Sequence, residues 1–210
     1  MNKCPELIMF LEVRSEEIVN LIQDVEHIGA FHYPYEHHLT LGWFTDNTPE
    51  TLRKFGKATM NYVQECIHKH AGAFLDEQAT SLQITVDQAD RQPVNRGGGF
   101  YVRPTEQCTQ PLLLIHQELI AFLQRNHIRV SESISGYRPH VSLTTPIAQS
   151  LINQHQEKLI LQTINDRIAA QQGERPGSIT LHSSAIRAIL KYPNEQGAEQ
   201  KETWEIKVGT

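Results

Sequence analysis

The sequence predicts an α+β fold built from two similar halves. Three observations lead there. The order strand, helix, strand occurs twice, over residues 6 to 44 and again over residues 100 to 145. In each copy the second strand carries a His-x-hydroxyl triplet, His38-Leu39-Thr40 and His140-Val141-Ser142. The segments between the strands repeat apolar residues at helical spacing, whereas the strands are short and alternate. A chain of 210 residues fits one domain, 1–210, with motif strands at 37–44 and 139–145.

Glu6 to Val13 is apolar, bounded by Pro5 and Ser15, and reads as the first strand. The first helix follows: Ser15 is its N-cap, Glu16 and Glu17 suit the positive helix start, Ile18, Leu21, Ile22, Val25 and Ile28 form one face, and Gly29 ends it. The loop Phe31-His32-Tyr33-Pro34-Tyr35 leads to the first motif strand. A second helix opens at Pro49, capped by Thr48, and runs to about Gly72, burying Leu52, Phe55, Tyr62, Val63, Cys66 and Ile67. Leu82 to Val86 and Phe100 to Val102 read as strands. Gly97-Gly98-Gly99 between them is a permissive turn, because no helix start follows it to complete a phosphate cradle.

The third helix is expected from about Pro111 to Asn126, with Leu112, Ile115, His116, Leu119, Ile120 and Leu123 on its inner face. His116 therefore reads as a core or boundary histidine. Beyond the second motif, residues 147 to 170 form a long helical stretch with Leu151, Ile152, Leu159, Ile164 and Ile168 as core positions. Ile179 to Leu190 and Thr203 to Val208 close the chain as a hairpin across the polar turn 194–200.

Composition narrows the function classes. Cys4, Cys66 and Cys108 are odd in number and lack C-x-x-C spacing, which points away from a disulfide framework or thiolate zinc site and towards a reducing cytoplasm. The apolar run Leu7 to Leu11 is too short for a signal-peptide core, and no stretch approaches the roughly 20 apolar residues of a membrane span. The net charge of -5 is unevenly spread: residues 1 to 90 carry 6 Lys/Arg against 14 Asp/Glu, whereas residues 91 to 138 carry six arginines against three glutamates. No dense basic stripe for a long nucleic acid is present, so a short nucleotide or RNA end is the expected partner, with no long duplex and no membrane. A monomer is expected.

Within a strand, His38 and Thr40 share one face while Leu39 and Leu41 point the other way, and the second motif repeats this. One His-x-Thr is uninformative in a chain with 11 histidines; two, 102 residues apart in matching positions, are not. Two such units packed about a pseudo-two-fold axis place His38 and His140 across one cleft. One imidazole can then serve as base and the other as acid near pH 7, while Thr40 and Ser142 donate to phosphoryl oxygens.

With its two His-x-Thr/Ser motifs, and with Tyr137-Arg138-Pro139-His140-Val141-Ser142-Leu143 similar to an aromatic followed by Pro-His-hydrophobic-Thr/Ser-Leu, the chain resembles the two-histidine phosphoesterase superfamily. It is closest in kind to RNA 2',3'-cyclic phosphodiesterases and 2'-5' RNA ligase-like proteins. That resemblance implies a bilobed α+β fold, two pseudo-symmetric lobes with antiparallel sheets around a central cleft and helices outside. It implies a hydrolase that needs no cofactor and opens or transesterifies a 2',3'-cyclic phosphate, with 2'-5' linked oligoadenylates or cyclic oligonucleotide signals as alternative substrates.

Tyr137 and Arg138, which lead into the second motif, and Tyr35, before the first, are candidate substrate contacts; Trp43 could stack on a base, although an aromatic there also suits the core. His37 faces away from His38, so the doublet is not a metal clamp. A zinc hydrolase using His27, His32, His68 or His70 lacks H-E-x-x-H or comparable spacing, and His68 and His70 do not share a helix face. A nonenzymatic nucleotide-binding module would have no need of both histidines and both hydroxyls.

Overall fold

The structure, a computed structural model, describes residues 4–14, 16–23, 25, 37–45, 48–92, 98–130, 136–143, 152–171, 176–194 and 198–209. Its elements are β1 (Glu6–Arg14), α1 (Glu16–Gln23), β2 (His38–Phe44), α2 (Pro49–Ala71), β3 (Leu82–Arg91), β4 (Phe100–Pro104), α3 (Glu106–Arg125), β5 (Val141–Ser142), α4 (Gln154–Ala170), β6 (Ile179–Pro193) and β7 (Glu199–Lys207), with a 3-10 turn at Gly72–Phe74. Every strand pairing is antiparallel.

The duplication extends further than the motifs announce. β1-α1-β2-α2-β3 is followed by β4-α3-β5-α4-β6 in the same order, and β7 is an addition. Pairing obeys the same symmetry: β1 with β2 matches β4 with β5, β1 with β6 matches β4 with β3, and β2–β5 and β3–β6 join the halves. The strands of both halves thus form one sheet whose pairings run in a closed circuit, β1-β2-β5-β4-β3-β6-β1. Helix packing follows suit, with α2 lying against α3 and β6, and α4 against α1 and β3. α4 is therefore the second-half counterpart of α2.

Local chemistry explains the boundaries. Thr48 caps α2, accepting from the Thr51 amide at 3.2 Å, with Pro49 in the first turn. Asn153 and Gln156 form a reciprocal capping box, which starts α4 at Gln154, so the helix occupies less of the 147–170 stretch than its composition predicts; residues 147–151 lie outside the described ones. α3 begins five residues before the expected Pro111. Burial of Cys108 and a first turn that returns to the Thr105 carbonyl keep the helix going through the proline, which lacks only its own N–H. In α4 the buried row is Ile160, Ile164 and Ile168, one turn apart, and the expected core residue Leu159 is 42% exposed. Ser15, Ile28, Gly29, Tyr35 and Leu151 lie outside the described residues.

One hydrophobic core joins the helices to one face of the sheet: Leu7, Met9, Leu11, Leu39, Leu41, Phe44, Val102, Val141, Ile186, Ala188 and Leu190 pack with Ile18, Leu21, Val63, Ile67, Ile115, Leu119 and Ile164. The opposite face carries the polar residues of the motifs. Among the described residues no helix is long and apolar enough to cross a membrane.

Candidate active site

β5 is two residues long among the described residues, and it starts later than the expected 139 because Pro139 has no N–H to give to a ladder; residues 144 and 145 lie outside the described ones. It is nevertheless held on both sides. Leu39 pairs with Val141 across β2–β5, and Val141 with Val102 across β5–β4. In an antiparallel pair, residues equally far from a matched pair face each other, so His38 lies opposite Ser142 and Thr40 opposite His140. Leu39 and Val141, both 0% exposed, point into the core, which puts all four polar side chains on the other face. Each histidine is thus backed by the hydroxyl of the other motif, and the two imidazoles stand on a diagonal. Diagonal neighbours lie about 7–8 Å apart, room for a phosphoryl group between them.

The flanking strands repeat the symmetry in their aromatics and invert it in their charges. Phe10, which pairs with Thr40, holds its ring 5.1 Å from that of His38; Tyr101, which pairs with Ser142, holds its ring 5.0 Å from that of His140. Next to His38 on β1 is Glu12, 2% exposed, bonded to Arg187 of β6 at 2.9 Å; Arg187 also reaches Glu205 at 2.6 Å. In the equivalent places of the second half, the residue beside His140 is Arg103 and its partner on β3 is Asp90. The exposed Arg138 guanidinium adds a positive charge near Tyr101, where it opposes the upward push of burial on the phenol. The group around His38 therefore carries two carboxylates and one guanidinium, and that around His140 two guanidinium groups and one carboxylate.

Hydrogen bonding fixes the His140 tautomer. Its Nδ1 is 2.9 Å from the Arg138 carbonyl, which can only accept, so Nδ1 carries the proton and Nε2 the lone pair. The Gln92 carboxamide nitrogen donates to that lone pair at 2.9 Å. Burial lowers the His140 pKa, and the bond to Arg138 only partly opposes it. His140 thus rests as a neutral ring with its basic nitrogen bonded to Gln92. Sequence reasoning missed Gln92, whose signal is positional: it follows Asp90 by two residues and shares its face.

Behind β2 lies a support of two rings. The β1–β2 register shifts between Met9 and Phe10, which pair with Gly42 and Thr40, so Leu41 is an extra residue, a β-bulge. The Tyr137 hydroxyl donates to the Thr40 carbonyl at 2.8 Å and His116 Nδ1 to the Leu41 carbonyl at 2.6 Å. The two rings stack, with centroids 3.8 Å apart and planes at 14°. Burial raises the Tyr137 pKa and lowers that of His116. Tyr137 therefore meets the back of the motif strand with its hydroxyl, and Arg138 offers the site a carbonyl and a nearby charge. Burial and the adjacent His38 push His37 down to about 4. Tyr35 lies outside the described residues. Among the described residues no group of three or more His, Cys, Asp or Glu is arranged to hold a metal ion.

No family model and no curated protein sequence matches the chain. Among solved structures it is similar to E. coli LigT complexed with 3'-AMP, with a TM-score of 0.52 and 14% identity over 98% of each chain. It is similar to E. coli LigT in apo form, with a TM-score of 0.50 and 14% identity over 97% of this chain and 98% of that one. A structure described as a phosphoesterase matches with a TM-score of 0.50 and 14% identity, over 96% of this chain and 98% of the other. These likenesses span the whole fold, from β1 to β7, and the chain has the two-histidine phosphoesterase fold.

Proposed function

We propose that the chain is a phosphodiesterase that needs no metal and opens the 2',3'-cyclic phosphate of short RNA ends or nucleotides. The observation that carries this is the crossed quartet, in which two motifs far apart in sequence set two imidazoles and two hydroxyls on one face. Thr40 and Ser142 donate to the nonbridging oxygens. His140 Nε2, kept unprotonated by the Arg138 and Gln92 bonds, exchanges the Gln92 carboxamide for the attacking water and takes its proton. The water oxygen bonds to phosphorus, one ribose P–O bond breaks, and His38 supplies the proton that the departing oxygen needs. The surroundings agree with this division: the Glu12 carboxylate stands beside His38 on the neighbouring strand, and burial favours the neutral form of His140. LigT, which shares the fold, has been crystallised with 3'-AMP, a small nucleotide of the class proposed here.

The test is a substrate panel, with His38→Ala as control. A nucleoside 2',3'-cyclic phosphate, a 2'-5' linked oligoadenylate, an ADP-ribose cyclic phosphate and a cyclic oligonucleotide are incubated with protein and EDTA. Turnover of the first, abolished in the control, is expected. Survival of the 2',3'-cyclic nucleotide while another compound is cut would overturn the substrate assignment and leave the histidine pair standing.

A further inference from the structure

Among the described residues β7 pairs with β6 alone, which leaves its outer side as an edge of the sheet. Backbone bonds at the two ends of the hairpin join even-numbered residues: the Val208 N–H donates to the Ser184 carbonyl at 2.9 Å and the Asn194 N–H to the Ala198 carbonyl at 2.8 Å. The register between them is unbroken. It is therefore the odd-numbered residues of β7 that turn their N–H and C=O away from β6. Their side chains, Glu199, Lys201, Thr203, Glu205 and Lys207, are exposed on the face that carries the motifs, where Glu205 bonds Arg187. Glu202, Trp204 and Ile206 turn the other way, towards the helices: Glu202 bonds Arg53 of α2, and Trp204 packs beside Gly56.

We propose that β7 pairs antiparallel with β7 of a second copy of this chain, about a two-fold axis through Thr203, and joins two sheets into one. The charges select this partner and this register. With Thr203 opposite the partner's Thr203, Glu199 meets the partner's Lys207 and Lys201 meets the partner's Glu205, and the symmetry repeats both pairs. A slip of two residues sets Glu199 against the partner's Glu205, or Lys201 against the partner's Lys207. A slip of four sets Lys201 or Glu205 against its own image, and an in-register parallel pair sets every charge against its like. Charged edges ordinarily keep other strands away; this one is complementary to itself in a single alignment. There is room for the partner. α2 lies over β6, touching β1 on one side and β7 on the other. With strands about 4.8 Å apart, the two copies of α2 stand about 14 Å from each other, more than the roughly 10–12 Å width of a helix. Both clefts open on the same side of the joined sheet.

Sedimentation equilibrium over a concentration series should give a mass that rises to twice the 24.0 kDa of one chain. Thr203→Pro removes the central N–H of the edge, which bonds nothing in β6, so the variant should fold and fail to pair. Glu199→Lys and Lys207→Glu should each weaken association about 2- to 30-fold, for two cross-strand ion pairs lost per dimer. Mixed in equal amounts, the two variants should recover it, because every cross-strand pair is then of opposite charge, and the double variant should recover it as well. Such recovery requires the proposed register and is not imitated by a folding defect, so it decides the matter even where circular dichroism shows Thr203→Pro unfolded. A mass of one chain at every concentration, a dimer that a folded Thr203→Pro leaves intact, or charge variants that change nothing or mix without recovery would each overturn the proposal.

Discussion

Gln92 donates its carboxamide to the lone pair of His140 Nε2 at 2.9 Å, so the proposed base is held in its unprotonated form before substrate arrives. Replacing that donor by a carboxylate inverts the preference. Gln92→Glu should favour the imidazolium and move the acid limb of kcat/KM upward by about 1–3 pH units, the usual effect of a carboxylate in contact. Gln92→Ala should move it far less. A pH–rate profile of the three proteins checks this, and an unmoved limb in Gln92→Glu would remove Gln92 from the account.

Glu12→Gln addresses the other histidine. It deletes one of the two carboxylates near His38 and leaves Arg187 with Glu205. The basic limb of the same profile should shift to lower pH, since less negative charge remains to hold the proton on the acid. A shift of the acid limb instead would exchange the roles of the two histidines.

His38→Ala and His140→Ala should each lower turnover about 10²- to 10⁴-fold, the usual contribution of a general acid or base. Thr40→Ala and Ser142→Ala should cost less, about 1.5–3 kcal/mol each for a hydrogen bond to a charged oxygen. Ser142→Thr should be nearly neutral. Circular dichroism of the same variants shows whether the fold is kept, and full activity in either histidine variant would end the assignment.

The rings behind β2 act on kcat through geometry. Tyr137→Phe keeps the stack on His116 and loses only the bond to the Thr40 carbonyl, so it should cost about 0.5–1.5 kcal/mol of stability and lower kcat with little change in KM. Urea denaturation and steady-state kinetics measure both. A rise in KM at constant kcat would instead make Tyr137 a direct substrate contact.

Stability should fall with acid in two stages. His37 titrates near 4 in the folded chain and near 6.5 when unfolded, and His116 and His140 are lowered in the same direction. Below pH 6.5 the unfolded chain binds protons that the folded one refuses, so stability is complete above 6.5 and lost as pH drops towards 4. Asp76, held by Thr80 and Ser81, and Glu118, held by Lys69, Tyr62 and His70, stay ionised to about 2; their contribution is lost only below the ordinary carboxylate range. Urea midpoints between pH 7.5 and 3 should show the first decline, and His37→Gln should flatten part of it.

What could be read from sequence follows from the range of each signal. The amphipathic face of α3, Leu112, Ile115, His116, Leu119, Ile120 and Leu123, is buried as its spacing predicts, because helical periodicity is local. Within each motif the histidine and the hydroxyl share a face for a similar reason, since alternation along a strand needs no partner. Gln92, Phe10 and Tyr101 were invisible because they depend on which strand lies beside which. For Trp43 the sequence left both the core and the open face available, because a bulge appears only in the register of a pair. The extended reach of α3 through Pro111 escaped because tertiary burial of Cys108 outweighs the local break.

The closed circuit of strand pairings also bears on how the chain is made. Leu7 meets Leu190, a contact that spans most of the sequence, Leu39 meets Val141, and β6 is the strand that covers both β1 and β3. During synthesis the edges of β1 and β3 that face β6 leave the ribosome unpaired, and they stay open until residues beyond 179 have been added. Open edges of apolar strands recruit other chains. A nascent or truncated product ending before β6 should therefore be captured by chaperones or aggregate, and the cleft assembles only after nearly the whole polypeptide has been translated.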